Sequence, residues 1–314
     1  MKKTLEIIIP IYNEIECLDE LMTQLLALRP KVSENISFLF VNDGSVDGSG
    51  DVLNQYVGQH SLMKVIHLSR NFGHQFALTA GFDHSDGDYV GVIDADLQDP
   101  PEIMLEMLSL MKKESLDIVY AQRIERKGES VFKKCTAHLF YSMIRKFTKI
   151  DIPENTGDCR LINKKTLLAF KTLRERHRFI RGLIPWIGFK SKAFQFSRDE
   201  RYAGQTKYPF FKMLELSMDA MFSFSRAPLK IANVIGFLSV LCGFVLAIYT
   251  LLAHFLWKVT VPGYTTIILV ILILSGIQLL ILGILGEYIG RIFEESKHRP
   301  LYIVDVIHDS TLSE

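Results

Sequence analysis

The chain has no Gly-x-Gly-x-x-Gly after its first strand-like segment and no Walker A loop. Dinucleotide oxidoreductases and P-loop kinases are therefore disfavoured. Its cysteines, Cys17, Cys135, Cys159 and Cys242, are scattered without a Cys-x-x-Cys pair. That argues against a zinc site or a disulfide framework and fits a reducing compartment. Met1-Lys2-Lys3-Thr4 leads straight into a segment containing Glu6, without the apolar length of a signal peptide. The formal net charge of +1 over 314 residues says nothing by itself about nucleic acid, which is not expected as a partner.

Charge is missing in a second, more telling way. Ile231 to Trp257 carries no formally charged side chain, His254 being the one group that protonation could charge, and Val259 to Gly286 carries none. Each run exceeds the roughly 20 apolar residues that a helix needs to cross a bilayer. Lys258 and Val261-Pro262-Gly263 separate them, so the pair reads as a tight transmembrane hairpin. The alternative is two buried helices of a large soluble core. Lys212, Arg226 and Lys230 precede the first run, and Arg291, Lys297 and Arg299 follow the second, against Lys258 alone between them. The positive-inside rule then puts both ends of the chain in the cytoplasm.

The rest of the chain alternates strand and helix patterns. Strands are expected at Leu5 to Pro10, Ile36 to Val41, Met63 to Leu68, Tyr89 to Ile93 and Asp117 to Ala121. Helices are expected at Ile15 to Leu28, from Asp47 onward, at Phe76 to His84, and beginning near Pro100 or Pro101. This alternation predicts an α/β fold with a doubly wound, mostly parallel sheet. Val131 to Phe147 mixes Lys133, Lys134, Arg145 and Lys146 with Phe132, Leu139, Phe140, Met143 and Ile144. It reads as a basic amphipathic helix, about 130–147, suited to an anionic membrane surface. Phe210 to Phe224 reads as a second interfacial helix; ordinary core packing is the alternative for both.

Asp94-Ala95-Asp96-Leu97-Gln98-Asp99 follows the fourth apolar strand directly. Carboxylates crowded at a strand's carboxyl end need a cation or a proton to offset their repulsion. A metal–diphosphate site is one reading, and a solvated acidic loop with Asp99 capping the next helix is the other. Three further loops end strands on the same expected edge: Pro10-Ile11-Tyr12-Asn13-Glu14, Asn42-Asp43-Gly44-Ser45 and Ser69-Arg70-Asn71-Phe72-Gly73. Asn155-Thr156-Gly157-Asp158-Cys159-Arg160 and Arg201-x-x-Gly204-x-Thr206-Lys207 complete the set.

With these motifs in this order, the sequence resembles the polyprenyl-phosphate glycosyltransferases of glycosyltransferase family 2, which include dolichyl-phosphate mannose synthases and bactoprenol glucosyltransferases. The resemblance covers nearly the whole chain, and the ending Gly283-Ile284-Leu285-Gly286-Glu287-Tyr288-Ile289-Gly290-Arg291 is most similar to the bacterial branch. It implies a GT-A fold, a UDP-linked sugar donor, a divalent metal (Mg²⁺ or Mn²⁺) and inverting transfer, most simply of glucose, to undecaprenyl or another polyprenyl phosphate. The domains implied are a cytoplasmic catalytic part at 1–208, a juxtamembrane segment at 209–230, the hairpin at 231–290 and a cytoplasmic tail at 291–314. The enzyme is then a multi-pass protein of the cytoplasmic (inner) membrane; a homo-oligomer and a flippase of the same pathway are compatible partners.

The resemblance also assigns residues. Pro10, Tyr12, Glu14 and Asp43 match the uridine pocket, although Asp43 before Gly44 is also a turn former. Arg70 lies beside that pocket or forms a surface ion pair. Asp94 and Asp96 bracket ribose, diphosphate and metal, with Asp96 the direct ligand. Gln98 and Asp99 fall to the sugar or the metal's outer shell. Arg123 meets the acceptor phosphate; Lys133 and Lys134 could help to hold it, although lipid-facing is the stronger reading of each. Arg201 and Lys207 belong to a loop that closes over the diphosphate, with Gly204 as hinge and Arg198 as helper. Asp158 matches the residue usually assigned as general base. A lipid phosphate, with a second pKa of about 6, is already ionised near neutrality, so Asp158 could instead orient Arg160 or Arg123, or hold the sugar. His67, His74, His138 and His177 read as structural or surface residues. Metal and basic groups would stabilise the growing charge of the leaving diphosphate. A processive synthase is disfavoured because no Gln-x-x-Arg-Trp occurs; the alternatives are the same fold with another donor sugar (GlcNAc, mannose or an aminosugar) or another lipid acceptor and, after these, a non-catalytic nucleotide-sugar-binding membrane protein.

Overall fold

The computed structural model describes residues 3–123, 156–196, 227–256 and 263–309. The expected basic helix, the 210–224 segment, the hairpin turn, His138, Lys133, Lys134, Arg198, Arg201, Gly204 and Lys207 lie outside the described residues. The described chain forms two compact units, Met1–Leu214 with Pro300–Glu314, and Glu215–Arg299.

In the first unit, β1 (Thr4–Ile11), β2 (Asn35–Asn42), β3 (Met63–Leu68) and β4 (Tyr89–Val92) are parallel. Their apolar residues are buried on both faces, as expected of a parallel sheet covered by helices. Helices α1 (Ile15–Leu26), α2 (Ser49–Gln59), α3 (His74–His84) and α4 (Ile103–Glu114) intervene. The expected start of α4 at Pro100 or Pro101 shifts to Ile103. The N–H groups of Ile103 and Met104 bond the carbonyls of Pro100 and Pro101 in a tighter turn ahead of the helix. No side chain caps α4, so Asp99 does not have that role.

The sheet is mixed rather than simply parallel. After β5 (Ile118–Arg123) come β6 (Thr156–Asn163), α5 (Lys164–Thr172), α6 (Ile180–Trp186) and β7 (Ser191–Phe196). The order is β7-β5-β6-β4-β1-β2-β3-β8. Strand β6 inserts antiparallel between β4 and β5, which brings the Asp158 segment beside the acidic loop. The expected 291–314 tail also contains structure: β8 (Val304–Asp309) pairs antiparallel with β3. Just ahead of it, the Ile303 carbonyl accepts from Ser69 N–H at 3.0 Å, and the Tyr302 hydroxyl donates to Asp83 at 3.0 Å.

The second unit contains α7 (Ala227–Leu256) and α8 (Tyr264–Ser296). Both are long and apolar enough to cross a membrane: mean hydropathy is 2.1 over Pro228–Leu246 and 1.7 over Ile273–Ser296. These windows are 6% and 0% buried, unlike helices in a soluble core.

Candidate active site

Strands β4, β1, β2 and β3 lie side by side and parallel, so the loops that follow them share one edge. The winding reverses at β1, since β2 lies on one side of it and β4 on the other. Such a switch point opens a crevice at the carboxyl ends of the strands. Residues 12–14, 43–48, 69–73 and 94–99 therefore converge, as their positions in the sequence led one to expect.

The first three loops are bound together by short polar contacts. Asn13 N–H donates to Ser45 Oγ at 3.0 Å, and Val46 N–H donates to Asn13 Oδ1 at 2.9 Å. Ser45 N–H reaches Asn42 Oδ1 at 3.0 Å, and Glu14 N–H reaches Ser49 Oγ at 3.2 Å. Gly44 has a φ of +65°, and a Cβ there would stand 2.5 Å from the Arg70 carbonyl carbon. Only glycine satisfies that backbone and that approach together. Asp43, 2% exposed, accepts from Phe72 N–H at 2.7 Å and Gly73 N–H at 2.9 Å. Burial pushes its pKa up, against these two amides and the nearby His74 and Arg70. Around it, Pro10 is buried, Glu14 half-buried and Tyr12 44% exposed. Arg70 stacks on the Phe72 ring at 4.1 Å and donates to the Asn71 carbonyl at 3.0 Å.

The second half of the crevice is made of charge. Asp94 and Asp96 follow β4, and Leu97 takes a φ of +56° at the loop's tip. Asp96 accepts from Gln98 N–H at 3.1 Å, while Gln98 is itself buried. Burial and the charges of Asp158, Asp96 and Asp99 hold Asp94 up at about 6, against the pull of His74. Asp99, 1% exposed, faces Arg123 Nη2 at 3.7 Å. Gly157 makes room for that guanidinium: a Cβ there would lie 2.9 Å from Arg123 Nη2.

Asp158, on β6, is the most heavily engaged carboxylate of the site. Its Oδ1 accepts from Arg181 Nε at 3.1 Å and Arg160 Nη2 at 3.2 Å. Its Oδ2 meets Arg181 Nη2 at 2.7 Å and His74 Nε2 at 3.2 Å. Burial alone would raise its pKa; Arg181 and His74 overcome that and hold it well below the usual carboxylate range. His74 also lies 3.7 Å from Asp94. Burial works against its protonation, but Asp158 and Asp94 hold the imidazole up at about 9. Arg160 is spent on the fold, donating to the carbonyls of Asp158, Ile180 and Gly157. Burial pushes the neighbouring Cys159 thiol well up, which does not suit a nucleophile.

His74, read as structural or surface, has a side chain 37% exposed and bridges the acidic loop and Asp158. Its signal was its place right after the Asn71-Phe72-Gly73 loop, on the shared edge. Arg181 was missed altogether, because it lies outside every motif and reaches Asp158 only through the turn into α6. His67 is structural as expected, bonding Asn42 and Asn54 at 2.9 Å each, and His177 is half-buried.

Asp94 and Asp96 are hard oxygen donors, and among the described residues no three His, Cys, Asp or Glu could hold an ion by themselves. That donor set fits a divalent ion that completes its shell with phosphate oxygens and water. Fold and site together define a GT-A-like glycosyltransferase. The chain belongs to glycosyl transferase family 2, which it matches over residues 6–168. Residues 227–292 match the GtrB C-terminal hairpin. The glycosyltransferase YkcC of Bacillus subtilis (strain 168) is 48% identical over 95% of this chain and 92% of its own. The bactoprenol glucosyl transferase of Shigella phage SfV is 34% identical over 96% and 97%. Among solved structures, glucosyl-3-phosphoglycerate synthase from Mycobacterium tuberculosis, in complex with Mn²⁺, UDP and glucosyl-3-phosphoglycerate, is similar at a TM-score of 0.47. It shares 15% identity over 70% of this chain and 78% of that one.

Proposed function

We propose that the protein is an inverting glycosyltransferase that moves a hexose, glucose from UDP-glucose, onto undecaprenyl or another polyprenyl phosphate at the cytoplasmic face of the inner membrane. The observation that carries this reading is the junction of the Asp94–Asp96 loop with Asp158 through His74, at the switch point of the sheet. Relatives named bactoprenol glucosyl transferase support the sugar and the lipid acceptor. The uncovered apolar helices support a membrane anchor.

In this reading Pro10, Tyr12, Glu14, Asp43 and Arg70 line the nucleoside side, and Asp94 and Gln98 face the ribose, diphosphate and sugar. Arg201 and Lys207 close over the diphosphate. Mg²⁺ or Mn²⁺, held by Asp96 with Asp94, supplies positive charge for the leaving diphosphate when bound. Arg123, 3.7 Å from Asp99, offers its guanidinium to the acceptor phosphate, and Lys133 and Lys134 are assigned to the same phosphate from the sequence alone. The acceptor attacks the anomeric carbon opposite the departing UDP, so configuration inverts.

The test is purified full-length protein with divalent metal, undecaprenyl phosphate and a panel of radiolabelled UDP- and GDP-sugars, scored for label in extracted lipid. Label from UDP-glucose, lost with chelator, is expected. Label from GDP-mannose alone would overturn the donor assignment, and no label from any donor would favour a binding protein.

A further inference from the structure

The chain returns to the sheet after its two long apolar helices. Only Lys297 to Pro300 lie between the end of α8 and Leu301, and Pro300–Glu314 belongs to the same compact unit as Met1–Leu214. We infer that this tail, Leu301 to Asp309, is a positioning segment of the donor site. It holds the Ser69-to-Gly73 loop in the conformation that seats Asp43, so that nucleotide affinity depends on it. The inference rests on the proposed reading of that loop as one wall of the nucleoside pocket.

The first argument is where the tail takes hold. The loop is strung between β3, which ends at Leu68, and α3, which begins at His74. The tail grips both supports. Val304 pairs with Leu68 at the last position of β3, and the Ile303 carbonyl accepts from Ser69 N–H at 3.0 Å. In the last turn of α3, Asp83 Oδ2 accepts from the Tyr302 hydroxyl at 3.0 Å, and the His84 and Tyr302 rings lie 6.3 Å apart. Arg174 Nη1 holds the same carboxylate oxygen at 2.8 Å. Leu301 is buried, so the tail is seated by an apolar side chain as well as by hydrogen bonds.

The second argument is what the loop does with that hold. Ser69 directly precedes Arg70, whose carbonyl carbon would stand 2.5 Å from a Cβ at position 44. Beyond it, the N–H groups of Phe72 and Gly73 fix the buried Asp43 at 2.7 and 2.9 Å. Contacts this close leave no slack, so a shift of the backbone at Ser69 is passed on to Gly44 and Asp43. Without the tail, β3 would be the edge of the sheet, since β8 is its outer neighbour, and Ser69 N–H would lose its acceptor. The end of such a strand and the loop after it open locally at low cost. A nucleotide that binds only the closed loop must in turn hold the tail in place, because such coupling is reciprocal. The tail follows both apolar helices in the chain, so the donor wall is completed only after both have been synthesised.

The experiment uses full-length protein, wild type and Leu301→Asp, which puts a charge into the buried seat of the tail. It reads the Kd for UDP, the KM for undecaprenyl phosphate at saturating UDP-glucose, the melting midpoint, and amide exchange of residues 69–73 and 304–309. Leu301→Asp should speed exchange in both segments and raise the Kd for UDP about tenfold, the scale of one lost hydrogen bond. The KM for undecaprenyl phosphate should stay unchanged. In wild type, saturating UDP should slow exchange of 304–309, by the same factor of about ten if the tail exchanges by detaching. A folded Leu301→Asp with a released tail and a Kd for UDP within about twofold of wild type would overturn the inference. So would equal rises in the Kd and the KM, the mark of general loosening. If Leu301→Asp does not fold, wild type decides alone: unchanged exchange of 304–309 while UDP protects 69–73 would also overturn it. If wild type does not bind UDP, the nucleoside reading fails separately. Exchange of 69–73 in Leu301→Asp then still decides whether the tail holds the loop.

Discussion

Asp43 and Asp158 are both buried carboxylates at one edge of one sheet, and the protein holds them in opposite ways. Asp43 is gripped by the backbone amides of Phe72 and Gly73, and burial leaves its pKa raised. Asp158 is gripped by Arg181, Arg160 and His74, and its pKa is driven well down. Backbone amides bring no net charge to Asp43, whereas two guanidinium groups and an imidazole bring positive charge to Asp158. One half of the crevice is set by backbone geometry and the other by side-chain charge.

The sharpest way to break this comparison is to remove each carboxylate. Asp158→Ala leaves buried guanidinium charge without its counter-ion and should cost about 3–5 kcal/mol of stability, read as a large fall in melting midpoint. Next in size is Asp96→Ala. It should lower metal-dependent turnover by about 10²–10³-fold, the scale of a lost electrostatic contact to the leaving group, while the melting midpoint stays close to wild type. Unchanged turnover would remove Asp96 from the site. Asp43→Asn puts an amide NH₂ against one of two backbone N–H groups and should cost about 1–3 kcal/mol, together with weaker UDP binding. If it destabilised as much as Asp158→Ala, the contrast between amide-held and cation-held carboxylates would fail.

Two smaller effects concern the frame behind the nucleoside loops. Tyr302→Phe removes the bond to Asp83 and should lower stability by about 0.5–1.5 kcal/mol. The last effect is one of pH. Burial, and then His308, hold the His67 pKa below its ordinary value. A depressed folded-state pKa gives stability that is present above about 6.5 and is lost as pH falls through the folded value. The melting midpoint should therefore drop between pH 7 and pH 5, and less so in His67→Gln. An equal drop in that variant would show that other groups carry the acid limb.

The donor half of the site was legible because each of its loops directly follows an apolar strand. A parallel sheet then leaves those loops no other edge to occupy. Gly44, Asp43 and the Asp94-to-Asp99 loop could be placed from sequence order alone. The other half was less legible because its geometry depends on an antiparallel insertion, β6 between β4 and β5, that apolar patterning does not reveal. Arg181, on α6, reaches Asp158 on that inserted strand, and neither spacing nor residue type marks it. The place of His74 between two carboxylates was not legible because histidine was weighed only as a metal ligand. Strand β8 was missed because its partner, β3, lies in the first third of the chain, so nothing beside it in the sequence marks the pairing.

The central claim is direct transfer of a hexose from UDP to a lipid phosphate. It is tested most directly by NMR of the lipid formed from α-linked UDP-glucose and undecaprenyl phosphate, reading the configuration at the anomeric carbon. A single glucosyl-phosphate lipid with the β configuration and release of UDP are expected. Retention of the α configuration, or unmodified lipid beside free glucose, would contradict it.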